Sequence, residues 1–181
     1  MFKKILMLAL IAAPLQLCAQ KFAHFDYATI MQAMPEYKAV TAELETIGKQ
    51  YQAELEGMQK EFQTKMEKYQ KEDTEATPQN IRDRHQQELQ DMYQRLQQAS
   101  QDNQEAFEKA RQTKMQPVSQ KLIDAAQAVA KEGGYVYIID SQAAQAGGIL
   151  INETLSTEVT AQIMKKLGLS ATTATPSAAT K

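Results

Sequence analysis

From Val40 to Tyr69 the apolar side chains recur at Val40, Leu44, Ile47, Tyr51, Leu55, Met58, Phe62, Met66 and Tyr69, always three or four residues apart. The mean step is about 3.6, the period of a straight α-helix and nearer an eleven-residue repeat than a heptad. A second stripe follows at Ile81, His85, Leu89, Met92, Leu96, Ala99, Ala106 and Ala110. Between the two lies Thr74 to Asn80, a polar stretch with Pro78 in it, which marks a hairpin apex. Two helices joined by so short a turn must lie antiparallel, and ~33 residues at about 1.5 Å each give an arm of roughly 50 Å. Such an arm is too long for the core of an ordinary globule.

The filling of that arm is thin. The chain holds 24 glutamines, mostly between Gln50 and Gln120, where a globular core would need bulk. The returning stripe is poor in leucine, so the two-helix seam is marginal. Leu44, Ile47, Leu55, Leu89 and Leu96 read as seam residues. Met92 and Tyr93 are neighbours about 100° apart on a helix, so one of them must turn away from the seam. Gly48 and Gly57 either soften the first helix or are tolerated on its surface. Pro117 interrupts the second helix and is expected to act as a hinge near Met115.

The two ends of the chain are different in kind. Phe22 to Asp26, Tyr135 to Ile139 and Gly148 to Ile151 read as three short strands, the second nearly continuous in apolar residues. Ser156 or Thr157 can cap a last helix with Val159, Ile163 and Leu167 on its face, stopped by Gly168. Strands so far apart in sequence form one sheet only if the hairpin is inserted between them. The fold class is therefore α+β and predominantly α: a long antiparallel helical hairpin, a coiled-coil-like arm, projecting from a small β-containing head. Head residues are 20–39 and 118–168, the arm is 40–117 with its apex at 74–80, and 169–181 read as a disordered tail. With a small core and unpaired strand edges, the head is expected to associate with copies of itself.

Met1 to Lys4 is a short basic start, and Ile5 to Leu15 is apolar apart from Pro14. About eleven apolar residues span only ~16 Å as a helix, too little for a membrane anchor but right for a secretory signal. Residues 1–19 are read as that signal, cut after Ala19, with acylation of Cys18 as a lipoprotein the rival reading. The rest carries 18 Lys and Arg against 22 Asp and Glu, a net charge of −4, and has no basic patch that would suit nucleic acid. Without Cys18 it has no cysteine, so no disulfide can staple it.

Enzymatic chemistry finds little support. His24 and Asp26 share a strand face but lack a third partner for metal or acid–base work. Gly133-Gly134 and Gly147-Gly148 match no phosphate-binding loop, and Asp26 and Asp140, at strand ends, read as caps or turn formers. No catalytic residue, metal or cofactor is assigned.

Phe25-Asp26-Tyr27, Met34-Pro35-Glu36-Tyr37-Lys38, the return through Pro117, Glu132-Gly133-Gly134-Tyr135 and Ile139-Asp140 occur in that order around the glutamine-rich hairpin. In this the chain resembles the Skp/OmpH periplasmic chaperones over nearly its whole mature length. The resemblance implies a homotrimer whose heads form a β-barrel body and whose arms enclose a cavity for unfolded outer-membrane proteins, without ATP. The best-known relative is strongly basic and this chain is acidic, so electrostatic capture of clients and a lipopolysaccharide site are not carried over. Tyr51, Met58, Phe62, Met66, Tyr69, Met92, Tyr93 and Phe107 are the arm residues expected to contact clients, because methionine and aromatic faces adapt to varied partners. The expected partners are thus unfolded outer-membrane proteins and copies of the chain, with at most peripheral contact with a membrane. The alternative is a structural or adaptor coiled coil of the cell envelope, and a weaker third reading is a lipid-anchored form.

Overall fold

The computed structural model describes residues 20–170. The expected signal peptide with its Cys18, and all but the first two residues of the expected tail, lie outside them. The chain is mostly helical with one small sheet, an α+β architecture. The described residues divide into two compact units, Met31–Lys121 and a sheet unit made of those up to Ile30 together with those from Leu122 on.

In the sheet unit, β1 (Lys21–Phe25) lies between β2 (Tyr135–Asp140) and β3 (Ser156–Glu158), and both pairings are parallel. Parallel neighbours need long crossovers, and the helices between the strands supply them. Helix α1 (Tyr27–Ala33) follows β1, α4 (Ser141–Ala146) follows β2 and α5 (Thr160–Lys166) follows β3. Ile30, Leu122, Val159 and Ile163 are fully closed to solvent and form the centre of the core with Ala23, Phe25, Val129 and Met164.

Two expectations are corrected here. Gly148 to Ile151 is not a strand. The Ile149 amide donates to the Ala144 carbonyl at 2.8 Å, and Gly148 takes a positive φ of 71°, so the segment is used to end α4. The third strand is instead the polar Ser156-Thr157-Glu158, aligned with Phe22 to His24. Consequently neither Ser156 nor Thr157 caps the last helix. It starts at Thr160, whose amide donates to the Glu158 carboxylate at 2.8 Å.

The second unit is built on α2 (Pro35–Glu72) and α3 (Gln79–Gly133), of 38 and 55 residues. The reversal between them is held by side chains: the Thr77 hydroxyl donates to the Glu72 carbonyl at 2.7 Å, and the Arg82 guanidinium donates to the Thr74 carbonyl at 3.1 Å. Leu44, Tyr69 and Met92 are buried along the seam. A Cβ at Gly48 would stand 3.6 Å from the Phe107 ring, so Gly48 faces the seam rather than open solvent. Lys114 with Glu43 (2.7 Å), Asn103 with Glu54 (3.2 Å) and Lys121 with Glu36 link the two helices across it.

The expected interruption at Pro117 is also corrected, since α3 runs unbroken through it. The ring removes one backbone N–H, but the helix resumes on Val118 and Leu122, both buried. The long helix ends at Gly134, where φ is +65°. That left-handed conformation strains any residue with a Cβ. Gly134→Ala is expected to destabilise the sheet unit by about 1–2 kcal/mol, read as a lowered thermal midpoint, and an unchanged midpoint would refute it.

Candidate functional site

The polar residues that could have carried chemistry are occupied in holding the fold. The His24 Nδ1 lies 2.8 Å from the Ser156 hydroxyl, across the β1–β3 pair. Asp26 accepts from the Thr29 amide (2.9 Å) and hydroxyl (2.8 Å), capping α1. One Asp140 oxygen accepts from the Tyr27 amide at 3.0 Å and the other from the Ala143 amide at 2.9 Å, so a single carboxylate caps two helix starts. Among the described residues no group of three His, Cys, Asp or Glu side chains could hold a metal ion, and no helix is long and apolar enough to cross a membrane.

The eight expected arm residues separate into three sets. Tyr69 and Met92 are buried in the seam at 7% and 8% exposure. Tyr51, Met58, Phe62 and Phe107 are half-buried beside it. Met66 and Tyr93 are open to solvent, 43% and 50% exposed. Met92 thus turns in and Tyr93 turns out, as a rotation of about 100° between neighbours requires. The Phe62 and Tyr93 rings stand 6.2 Å apart and tilted, and Met66 lies one turn beyond Phe62 on the same helix. Phe62, Met66 and Tyr93 therefore form the apolar surface that this stretch of the arm leaves open. Met58 and Met92, with Glu61 and Arg95, line only a crevice of about 50 Å³.

Towards the apex the seam turns polar. The Tyr69 ring stacks on the His85 imidazole at 3.8 Å, nearly parallel, and His85 Nδ1 meets the Asp73 carboxylate at 2.8 Å. Glu88 accepts from the Lys65 ammonium and from the Tyr69 hydroxyl. The Lys65 and Tyr69 hydrogen bonds hold the Glu88 carboxyl below the usual carboxylate range. The same bonds to Glu88 push Lys65 and Tyr69 up. His85 stood in the apolar stripe, which placed it in the seam; its partner Asp73, and Glu88, the partner of Tyr69, lie off that stripe and gave no signal.

A second apolar surface was not anticipated. On the sheet unit Phe22 and Tyr137 stack at 6.3 Å. With Ile149, Leu150 and Leu155 they line an open cavity of about 360 Å³. Leu150 is 96% exposed and Leu155 78%. The signal was present in the sequence as a run of apolar residues at 149–151, read there as strand.

The family described as "Outer membrane protein (OmpH-like)" matches residues 21–167. No curated protein matches the chain. Among solved structures, an OmpH-like protein from Caulobacter crescentus, to which an outer membrane chaperone role is attributed, is similar with a TM-score of 0.66 and 22% identity, covering 82% of this chain and 83% of its own. That likeness concerns the fold, whereas the family match takes in all three strands and the two long helices: the chain belongs to the OmpH-like family.

Proposed function

We propose that the chain is an ATP-independent holdase of the periplasm that shields unfolded outer-membrane proteins between helical arms. The observation that carries this reading is the exposed Met66 and Tyr93 beside half-buried Phe62, on a helical pair in a family described as outer membrane protein (OmpH-like), with a fold shared by a protein described as an outer membrane chaperone. Barrel strands alternate apolar and polar residues, so an unfolded barrel offers many small apolar contacts. Each contact with a methionine or aromatic face is worth roughly 0.5–1.5 kcal/mol, enough to hold a client when summed and weak enough to release it without fuel.

Copies of the chain cover the apolar face around Phe22, Tyr137, Leu150 and Leu155 in this reading, and a trimer of sheet units keeps the arms together. So large an exposed apolar patch needs a cover. Pro117 serves as the point where the arm bends most readily, one backbone hydrogen bond short. Cleavage after Ala19 delivers the protein, and mass spectrometry of the exported chain distinguishes an N-terminal Gln20 from a lipidated Cys18.

Unfolded barrel proteins of unrelated sequence should stay soluble at near-stoichiometric trimer, measured by light scattering. Met66→Ser with Tyr93→Ser is expected to weaken holding about fivefold to tenfold while moving stability by less than about 0.5 kcal/mol, because both side chains are already exposed. Protection of no client removes the reading, and tight binding of one folded partner instead would favour an envelope adaptor.

A further inference from the structure

On α3 the glutamines Gln87, Gln90, Gln94, Gln97, Gln101 and Gln104 follow one another in steps of three and four, and every one is exposed. At about 100° per residue, Gln90, Gln94 and Gln101 point roughly 160–180° away from buried Met92, so the row runs along the back of the helix, opposite the seam. Exposed Gln86 and Gln98 widen it on either side. No charged residue enters this outward third of the helix between Asp83 and Glu105. A solvated helix back ordinarily carries mixed charge, and 23% of this chain is charged, so an uncharged face here needs a reason.

Gln87 and Gln98 donate to Asp91 and Asp102 at 2.8 Å, and Gln97 donates to the Tyr93 hydroxyl at 3.0 Å. Gln86, Gln90, Gln94, Gln101 and Gln104 make no side-chain hydrogen bond among the described residues. We infer that this glutamine face binds the main chain of an extended polypeptide. The inference rests on the holdase reading and names how the client is gripped.

A side-chain amide offers the same donor and acceptor as a peptide group, and the peptide group is what all unfolded clients share. Charged side chains would select by client charge and cost more to desolvate; amides do neither. From Gln87 to Gln104 the row is about 26 Å long, which an extended chain covers in about eight residues, near the 9–11 of one membrane barrel strand. Exposed Tyr93 borders the row and supplies an aromatic face for the client's side chains. A second copy is a poorer occupant, since rotamer-rich glutamines bring little apolar area to a stable self-interface.

The test uses the full mature chain with Gln90, Gln94, Gln101 and Gln104 replaced together by alanine, the better helix former. The probes are several unfolded barrel proteins of different net charge, and a ten-residue strand peptide with and without methyl groups on alternate backbone nitrogens. The parent should bind the plain peptide about tenfold more tightly than the methylated one. The variant should lose most of that difference and hold every barrel protein about tenfold less tightly, with unchanged mass in solution. Unchanged binding by the variant beside a parent that still holds clients overturns the main-chain grip and leaves the holdase reading intact. A fall in mass without weaker holding assigns the face to contacts between copies and also overturns it. A parent that holds nothing sinks both readings together.

Discussion

Ile163→Ala lowers the unfolding free energy of the sheet unit by about 2–5 kcal/mol, the cost of a buried large-to-small change whose cavity cannot fully collapse. Ile163 has no exposed surface, and among the described residues the unit has few other side chains so completely enclosed: Ile30, Leu122, Ala144, Val159 and Met164 complete that set. The strand leading into its helix, β3, is three residues long and joins the sheet only through β1, so the ladder has little to spare when the packing behind it loosens. A small core loses a large share of its stability with one such side chain. Hydrogen exchange of the β1 amides reports the change directly. The control is Leu150→Ala in the same unit, which at 96% exposure should move the single chain's stability by less than about 0.5 kcal/mol. An effect below about 1 kcal/mol for Ile163→Ala would mean that the core lies elsewhere.

Periodicity made the helices legible. A stripe repeating every 3.6 residues over thirty positions has no other regular reading, and Pro78 beside a polar run leaves one place to reverse. The same logic separated Met92 from Tyr93. What periodicity does not carry is the width of the seam: Tyr51 and Tyr69 occupy equivalent places in the stripe, yet only Tyr69 is buried, because His85 lies against its ring and Glu88 takes its hydroxyl. Short strands were the weakest signal. Ser156-Thr157-Glu158 has neither alternation nor bulk, and only pairing with Phe22 to His24 makes it a strand. Ile149 to Ile151 has the β-branched, apolar look of one, but Gly148 turns the chain first and leaves Ile149 and Leu150 exposed, with Ile151 half-buried. The exposed face they help to form therefore depended on tertiary geometry that local propensity cannot express.

Tyr69→Ala is expected to reduce the free energy of opening the arm's tip by about 3 kcal/mol, near the lower end of aromatic-to-alanine changes because the arm is only two helices thick. Between Tyr69 and the turn no other side chain of α2 is buried, and the next buried residue across the seam is Met92. Removing the ring strips His85 of its stacking partner and Glu88 of the Tyr69 hydroxyl, so one substitution removes both contacts that Tyr69 makes across the seam and leaves Lys65–Glu88 and His85–Asp73 to close the tip. Exchange of the amides flanking residues 73–78 should accelerate by about two orders of magnitude, since 1.4 kcal/mol is a factor of ten. Tyr69→Phe keeps the stack and loses only the hydroxyl, so its effect is a fraction of this and depends on pH. Glu88 is held below the ordinary carboxyl range in the folded arm by Lys65 and Tyr69, which means its contribution is present above the unfolded value of about 4.3 and is lost as pH falls through the lower folded value. The wild-type and Tyr69→Phe arms should therefore differ at pH 7 and converge in acid, once the pH has fallen below the lowered folded value of Glu88, and Glu88→Gln should flatten the acid dependence in both. A difference of equal size at both pH values would show that the hydroxyl acts through packing alone and that the Glu88 carboxylate does not close the tip.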